Sequence, residues 1–86
     1  MFLHYSTRFK KSFHKRPEWV RELVKDRIRL FEVDPRHPLL DDHPLGGKLT
    51  GLRSFSITGD LRVQYEPFSD GSARLLNLGT HSELYG

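Results

Sequence analysis

From Ser54 to Tyr65 the chain reads SFSITGDLRVQY, and apolar and polar residues alternate through most of this stretch. Successive side chains of a β-strand point to opposite faces, so Phe55 and Ile57 share one face of a first strand. Thr58-Gly59-Asp60 is typical of a turn. The apolar face of the following strand carries Leu61, Val63 and Tyr65. The stretch therefore predicts two paired strands with one apolar face and one polar face.

Upstream of this stretch we expect a short strand and two helices. Phe2 to Tyr5 reads as the strand, and Ser6 suits the N-cap of a short basic helix. Pro17 suits the first position of a second helix. The residue before a proline is pushed out of the α region, so Asp34-Pro35 ends that helix. Its apolar stripe has helical spacing and consists of Val20, Leu23, Val24, Ile28 and Phe31.

Downstream, an irregular loop is expected from Asp34 to about Lys48, and Asp70-Gly71 marks a hairpin connection before a last strand from Arg74 to Thr80. The predicted fold is α+β with the order β-α-α-β-β-β. A helical hairpin packs on one face of a small, mainly antiparallel four-stranded sheet. The chain has no internal repeat or linker, so we expect residues 1–86 to form a single domain. The other face of the sheet is left for function.

Length and composition limit the protein class. A domain of 86 residues buries only about 60–65% of its unfolded surface, so its core is thin. Without cysteine there is no disulfide and no thiolate metal site. No signal peptide or membrane span is expected from the sequence, which favours a cytoplasmic protein. The net charge of +3 and the pI near 9.5 favour an anionic partner, either nucleic acid or an acidic protein.

The polar face of the predicted sheet gathers groups that can cleave RNA without a metal. The strand alternation places Ser54, Ser56, Asp60, Arg62 and Gln64 within reach of one another. A loop histidine, His43, and a histidine at the end of the last strand, His81, can join them. Cleavage by the RNA's own 2′-hydroxyl needs a base, an acid and a cation to stabilise the phosphorane. Imidazole suits either proton role near neutral pH.

Two motifs resemble a known toxin family. Asp42-His43-Pro44-Leu45-Gly46-Gly47, followed by Gly51 and Arg53, is similar to a DHPL-x-G loop and its following strand. Gly79-Thr80-His81 with Leu84-Tyr85-Gly86 resembles a GTH-x-x-L-[FY]-G ending. In combination these motifs resemble the RelE superfamily, and within it the YafQ type of messenger-RNA endonuclease. The first half of the chain matches only in its order of elements and its basic helices.

The resemblance implies roles for particular residues. His43, Asp60 and His81 occupy the family's proton-transfer positions, and Tyr85 matches its terminal aromatic position. His81 is then the general acid, and either His43 or Asp60 is the base. Arg62 falls where the RelE branch carries a phosphate-binding arginine. Each group also has a plain structural interpretation: a loop contact for His43, a turn for Asp60, tail packing for Tyr85, and a surface ion pair with Asp60 or Glu66 for Arg62.

The chain departs from YafQ where that type carries an acidic residue and a further histidine, because Ser54 and Ser56 stand there instead. A hydroxyl does not act as a base near neutral pH without activation, so we expect these serines to hydrogen-bond the RNA. Lys48 and Arg53 are expected to contact RNA or its phosphates. The basic helix residues either bind ribosomal RNA phosphates or form ordinary solvated faces; they are Arg8, Lys10, Lys11, Lys15, Arg16, Arg21, Lys25 and Arg29.

The function implied by the resemblance is that of a toxin in a type II toxin–antitoxin pair. Such a toxin cuts messenger RNA in the ribosomal A site, needs no cofactor or metal, and leaves a 2′,3′-cyclic phosphate. Its partner is a small antitoxin that neutralises it and takes the complex to operator DNA. Two alternatives stay open: a ParE-like toxin that poisons gyrase on the same fold, and a degenerate domain that only binds antitoxin or RNA.

Overall fold

The computed structural model describes residues 1–85, so Gly86, the last residue of the C-terminal motif, lies outside the described residues. The elements in chain order are β1 (Leu3–Tyr5), α1 (Thr7–His14), α2 (Glu18–Val33), β2 (His43–Pro44), β3 (Arg53–Ser56), β4 (Leu61–Pro67), β5 (Ala73–Thr80) and α3 (His81–Tyr85). Two single 3₁₀ turns, Pro38–Leu40 and Gly47–Leu49, flank β2.

The strands form one sheet in the order β1-β5-β4-β3-β2. β1 runs parallel to β5, and the other neighbours are antiparallel. The predicted α+β class is confirmed, but the sheet has five strands and not four. The additional strand is His43–Pro44, which lies in the predicted loop and pairs with β3 at Ser54 and Arg53. Its proline suits an edge, because proline has no N–H to donate to a further strand.

The helices follow the sequence pattern closely. The Ser6 side chain caps α1 by accepting a hydrogen bond from the Phe9 amide at 3.0 Å, as its position predicts. Its hydroxyl also donates to the Leu76 carbonyl at 2.6 Å. Ser12 donates to the Leu78 carbonyl at 2.5 Å. α1 therefore lies along the β5 edge beyond the end of β1. Pro17 stands at the N-cap of α2, one position before the predicted one.

The core lies between α2 and the predicted apolar face of the sheet. The Phe31 ring stacks on Phe55 at 4.4 Å between centroids and meets the edge of Tyr65 at 4.8 Å. Val24 and Val63 are fully buried beside them. Burying such side chains contributes about 1.5–3 kcal/mol each, so this aromatic cluster supplies much of the stability of a small domain.

The opposite face of the sheet is partly covered, whereas the sequence suggested an open face. After β5 the chain forms α3, a helix of five residues where a strand end and tail were expected. Leu84 of α3 lies over Gly79, where an added Cβ would be 3.1 Å from the leucine Cδ2. A methyl group at this position would crowd the Leu84 side chain, so Gly79 lets α3 pack closely on the sheet.

Candidate functional site

The turn from β5 into α3 positions the C-terminal motif. The Thr80 amide donates to the Glu83 carboxylate at 2.7 Å, and the Glu83 amide donates to the Thr80 hydroxyl at 3.2 Å. This reciprocal pair is a capping box, which the sequence Thr80-His81-Ser82-Glu83 encodes. Arg16 of α1 also donates to the Glu83 carboxylate, at 3.1 Å. The Thr80 amide and then Arg16 hold the pKa of Glu83 below its usual value, so the carboxylate is charged at neutral pH.

The capped turn brings Asp60 and His81 together. The His81 backbone amide donates to the Asp60 carboxylate at 3.3 Å, which links the start of β4 to the start of α3. The imidazole is exposed and lies 4.8 Å from the Tyr85 ring, with the ring planes at 39°. These three predicted site residues therefore share one end of the sheet. Tyr85 contacts the predicted acid and does not merely pack the tail.

Arg62 lies beside this pair, in a cross-strand row with Ser56 and Gly79. Its guanidinium donates at 3.4 Å to the Ser56 hydroxyl and at 3.3 Å to the Gly59 carbonyl. Its Nε is buried and has no partner within residues 1–85. The described contacts of Arg62 include no ion pair with Asp60 or Glu66, the alternative that the sequence left open. The long contacts of its two terminal nitrogens leave this cation able to bind an anion.

His43 lies away from the group. It stands on β2, opposite Ser54, whereas His81 follows the end of β5, so three strand spacings separate them, about 14 Å. Its Nδ1 lies 2.7 Å from the Asp41 carbonyl, which is the loop contact that the sequence allowed. The structure therefore brings together Asp60, Arg62 and His81 but leaves His43 at the edge of the sheet.

The two serines have different environments. Ser56 is half-buried and accepts from Arg62. Ser54 is fully buried, and its hydroxyl has no partner within residues 1–85. Because its side chain presents no surface, a direct RNA contact by Ser54 requires the covering groups to move. Alternation therefore predicted correctly which face of the sheet Ser54 points to. It wrongly predicted that the side chain is exposed there.

Arg53 points to the other side of the sheet, toward a buried carboxylate. Its Nε donates to Asp42 at 2.7 Å, Arg36 pairs with the same carboxylate at 3.0 Å, and the Tyr65 hydroxyl donates to its second oxygen. Burial and the negative Asp42 raise the pKa of Tyr65 to about 12. The guanidinium of Arg53 therefore helps to fix the loop around β2. The sequence analysis predicted instead that Arg53 contacts RNA.

The predicted ribosome-binding residues do not form one surface. Lys11 and Lys15 line a groove on α1 together with Arg8, whereas Lys10 and Lys25 border a separate groove between α1 and α2. Arg16 is held by Ser12 and Glu83. Arg21 donates to the Arg16 carbonyl. Lys48, which was predicted to contact RNA or its phosphates, is exposed in the 3₁₀ turn after β2.

Within residues 1–85, the part of the chain that the structure describes, two kinds of feature are absent. No three His, Asp or Glu side chains there come together as a metal-ion site. No helix there has both the length and the apolar character needed to cross a membrane. The geometry instead offers a carboxylate, an imidazole, a guanidinium and a phenol around one end of the sheet.

Comparison of whole folds relates this arrangement to known proteins. No protein-family model matches the sequence, and no curated protein matches it in sequence. A copper-bound mutant toxin from Helicobacter pylori is 31% identical, covers 99% of each chain and superposes with a TM-score of 0.74. The chain belongs to the RelE/ParE toxin superfamily. Identity at this level over nearly the whole chain supports common ancestry as well as a common fold.

Other members of the superfamily share the same architecture. A YoeB/ParE toxin from Agrobacterium tumefaciens is 24% identical, with 94% of this chain and 99% of that chain covered and a TM-score of 0.77. The DinJ–YafQ toxin–antitoxin complex of E. coli contains a chain that is 24% identical, with 98% and 96% covered and a TM-score of 0.75. The YafQ-like resemblance drawn from the two motifs is therefore confirmed at the level of the superfamily.

Proposed function

We propose that this chain is the toxin of a type II toxin–antitoxin pair and that it cleaves messenger RNA on the ribosome without a metal. The observation that carries the proposal is the contact of Asp60 with the His81 amide, beside the incompletely paired Arg62. A carboxylate, an imidazole and a guanidinium at one end of the sheet supply the base, the acid and the cation that phosphodiester cleavage needs.

In the proposed reaction, a carboxylate oxygen of Asp60 takes the proton of the 2′-hydroxyl. The 2′-oxygen attacks the phosphorus, and the bond from phosphorus to the 5′-oxygen breaks. His81 protonates the departing 5′-oxygen. The products are a 2′,3′-cyclic phosphate and a 5′-hydroxyl. Asp60 then releases the proton that it gained to solvent, and His81 takes up a proton from solvent, which restores both groups.

Spacing supports Asp60 over His43 as the base. A base and an acid that act on one phosphodiester must both reach its neighbouring oxygens, each at about 2.6–3.2 Å. Asp60 already contacts the His81 backbone, whereas His43 lies about 14 Å away across the strands. We assign His43 to contact with a flanking nucleotide, where its loss weakens binding more than the chemical step.

Arg62 and Tyr85 complete the proposed site. Arg62 stabilises the charge that develops on the phosphorane, because a guanidinium donates to two phosphate oxygens at once. Its weak contacts to Ser56 and Gly59 cost little to exchange for a phosphate. The Tyr85 ring lies against the His81 imidazole, where it restricts the orientation of the acid and offers a surface for stacking on a base.

The proposed partner is a small antitoxin that covers this end of the sheet. Solved relatives include toxin–antitoxin complexes from E. coli and Mycobacterium tuberculosis, which support a partner of this class. The net charge of +3 suits both an acidic antitoxin segment and RNA. Binding to operator DNA then belongs to the complex, since the antitoxin carries the DNA-binding part in this kind of pair.

Primer extension on a reporter messenger RNA in a translation extract tests the proposal. The parent chain is compared with His81→Ala, with and without ribosomes. Discrete cuts are expected from the parent only when ribosomes are present, and the alanine variant should lose at least about 100-fold, because removing the acid costs 10²–10⁴-fold. Far-UV circular dichroism checks that the variant is folded.

Three companion measurements separate the alternatives. Asp60→Asn should suppress cleavage as strongly as His81→Ala, whereas His43→Ala should cut less efficiently at the same positions; the reverse pattern would make His43 the base. An intact message with a folded parent chain would reject the nuclease. Inhibition of purified gyrase by that same chain would then assign it to the ParE branch.

A further inference from the structure

The short connection between α1 and α2 holds one arginine in a fixed position. Arg16 lies directly before Pro17, and its backbone amide donates to the Phe13 carbonyl at 3.1 Å. Its own carbonyl accepts from the guanidinium of Arg21, in the first turn of α2. A residue that precedes proline has few allowed backbone conformations. The backbone of Arg16 is therefore fixed from both helices, and its side chain starts from a defined place.

The Arg16 side chain reaches the edge of β5. The side chain is 20% exposed, and its terminal Nη2 donates at 2.9 Å to the Ser12 hydroxyl and at 3.4 Å to the Leu78 carbonyl. Ser12 itself donates to the same carbonyl at 2.5 Å. These contacts place the guanidinium where α1 meets the last strand, close to the point where that strand turns into α3.

The same nitrogen continues to α3. Arg16 Nη2 lies 3.1 Å from Glu83 Oε1, and that oxygen also accepts the Thr80 amide at 2.7 Å. One carboxylate oxygen therefore joins the α1–α2 connection to the turn that begins α3. His81 is the first residue of α3, and its amide donates to Asp60.

α3 needs support from the rest of the chain. It has five residues, and an isolated helix of that length is not stable in water. The packing of Leu84 on Gly79 attaches α3 to the sheet. The contact between Arg16 and Glu83 adds a tie to the helical layer. Without this tie α3 stays on the sheet but is freer to tilt, and His81 moves with it.

We propose that Arg16 is a positioning residue, which holds α3 through Glu83 so that the His81 imidazole is aimed at the departing 5′-oxygen. The inference rests on the proposed function, because it concerns the acid of that reaction. A ribosomal RNA contact is the other role for Arg16 that the sequence suggested. The guanidinium is already bound to Ser12 and Glu83, so a phosphate contact would require it to leave the partners that fix α3.

Arg16→Met tests the tie, and Arg27→Met is its matched control. Methionine keeps the aliphatic part of an arginine side chain and has no donor. Arg27 is an arginine of α2 with a side chain that is 23% exposed, and it pairs with Asp26 at 2.8 Å. Both variants therefore remove one charge and one ion pair. Such pairs contribute little to stability, so both variants should stay folded, which far-UV circular dichroism checks.

The backbone motion of α3 is the first readout, and it needs no cleavage. Nuclear magnetic resonance relaxation of backbone ¹⁵N reports motion on the picosecond to nanosecond scale. In Arg16→Met the heteronuclear Overhauser effects of residues 81–85 should fall, and the His81 amide signal should move. Both should match the parent chain in Arg27→Met. An α3 as rigid in Arg16→Met as in the parent would overturn the proposal, whatever the nuclease activity.

The kinetics of cleavage are the second readout. With ribosome concentration varied, Arg16→Met should lower kcat about threefold to tenfold, a fraction of the roughly 10²-fold that a 1 Å displacement costs. KM should stay within about twofold of the parent value, because binding is not the step affected. A raised KM with unchanged kcat, and a salt dependence of binding lowered by about one phosphate contact, would overturn the proposal in favour of a ribosome contact.

A double-mutant cycle tests whether Arg16 acts through Glu83. In the background of Glu83→Ala, adding Arg16→Met should lower kcat by no more than about twofold, because the tie is already lost. A further loss as large as that in the parent background would show that Arg16 acts by another route and would overturn the proposal. A parent chain that does not cleave, with a mobile α3 in Arg16→Met, would reject the proposed function and leave the tie itself standing.

Discussion

Asp42 shows at the scale of one residue how an acidic side chain in a functional motif serves the structure. Its side chain is 1% exposed and binds Arg36, Arg53 and Tyr65. The neighbouring Asp41 is 72% exposed and adopts the left-handed conformation with φ 47°. Two adjacent carboxylates therefore have opposite roles, which the sequence alone does not distinguish.

The variant Asp42→Asn should destabilise the domain by about 2–4 kcal/mol, because it leaves two guanidinium groups without their carboxylate. Urea unfolding followed by circular dichroism measures the change. The matched control is Asp41→Asn, which keeps a side chain that tolerates the left-handed region and should fall within about 0.5 kcal/mol of the parent. Equal midpoints for the two variants would contradict this role of Asp42.

Glu83 gives a prediction on pH at the same scale. Its pKa is lowered from 4.5, first by the Thr80 amide and then by Arg16. A lowered pKa in the folded state means that the stabilisation is present above pH 4.5 and is lost as the pH falls through the lowered value. The Thr80 amide signal should therefore titrate with a midpoint below 4.5. Glu83→Gln should abolish that titration, and a midpoint at or above the ordinary value would reject the capping contact in solution.

At the scale of the element, α3 depends on one glycine. A Cβ at position 79 would lie 3.1 Å from the Leu84 Cδ2 and 3.2 Å from the Glu83 Cβ. Both distances are shorter than an ordinary van der Waals contact, so an added methyl group requires Leu84 and Glu83 to move by a few tenths of an ångström. Because α3 carries His81 and Tyr85, a change at Gly79 acts on the site without touching its chemistry.

The variant Gly79→Ala should reduce the proposed messenger-RNA cleavage by about twofold to tenfold, because a shift of a few tenths of an ångström is a fraction of the 1 Å displacement that costs up to about 10²-fold. The unfolding midpoint should change little, because the core lies on the other face. The control is Gly46→Ala, whose backbone is extended with φ −121° and whose added Cβ meets no atom within 4 Å. Unreduced cleavage by Gly79→Ala would show that the reaction does not require the close packing of α3 on the sheet.

At the scale of the whole molecule, stability depends on a few buried rings. A domain of 86 residues has a free energy of unfolding of about 4–13 kcal/mol. Removing the Phe31 ring costs about 3–5 kcal/mol, because it stacks on Phe55 and meets Tyr65.

The variant Phe31→Ala should therefore be largely unfolded, or should unfold at much lower urea than the parent. The matched control is Val33→Ala near the end of the same helix, whose side chain is 85% exposed and whose loss should change the free energy by no more than about 0.5 kcal/mol. Far-UV circular dichroism against urea measures both. A Phe31→Ala midpoint equal to that of the control would show that the aromatic cluster is not central to stability.

The sequence by itself determined the local structure and the chemical groups of the site. Alternation assigned Phe55, Leu61 and Val63 to the buried face, and helical spacing assigned Val24 and Phe31 to the core, because both patterns depend on residues that are near in sequence. The cap at Ser6 is equally local. The two motifs also indicated the superfamily.

Only the tertiary structure decided how these groups meet. The short strand at His43, the fold of α3 onto Gly79 and the engagement of Arg53 by Asp42 depend on contacts between residues far apart in the chain. Alternation states which face a side chain points to, but not what covers that face, so it could not reveal the burial of Ser54 and Gln64. The physical reason is that strand and helix periods are local, whereas burial is set by the packing of distant segments.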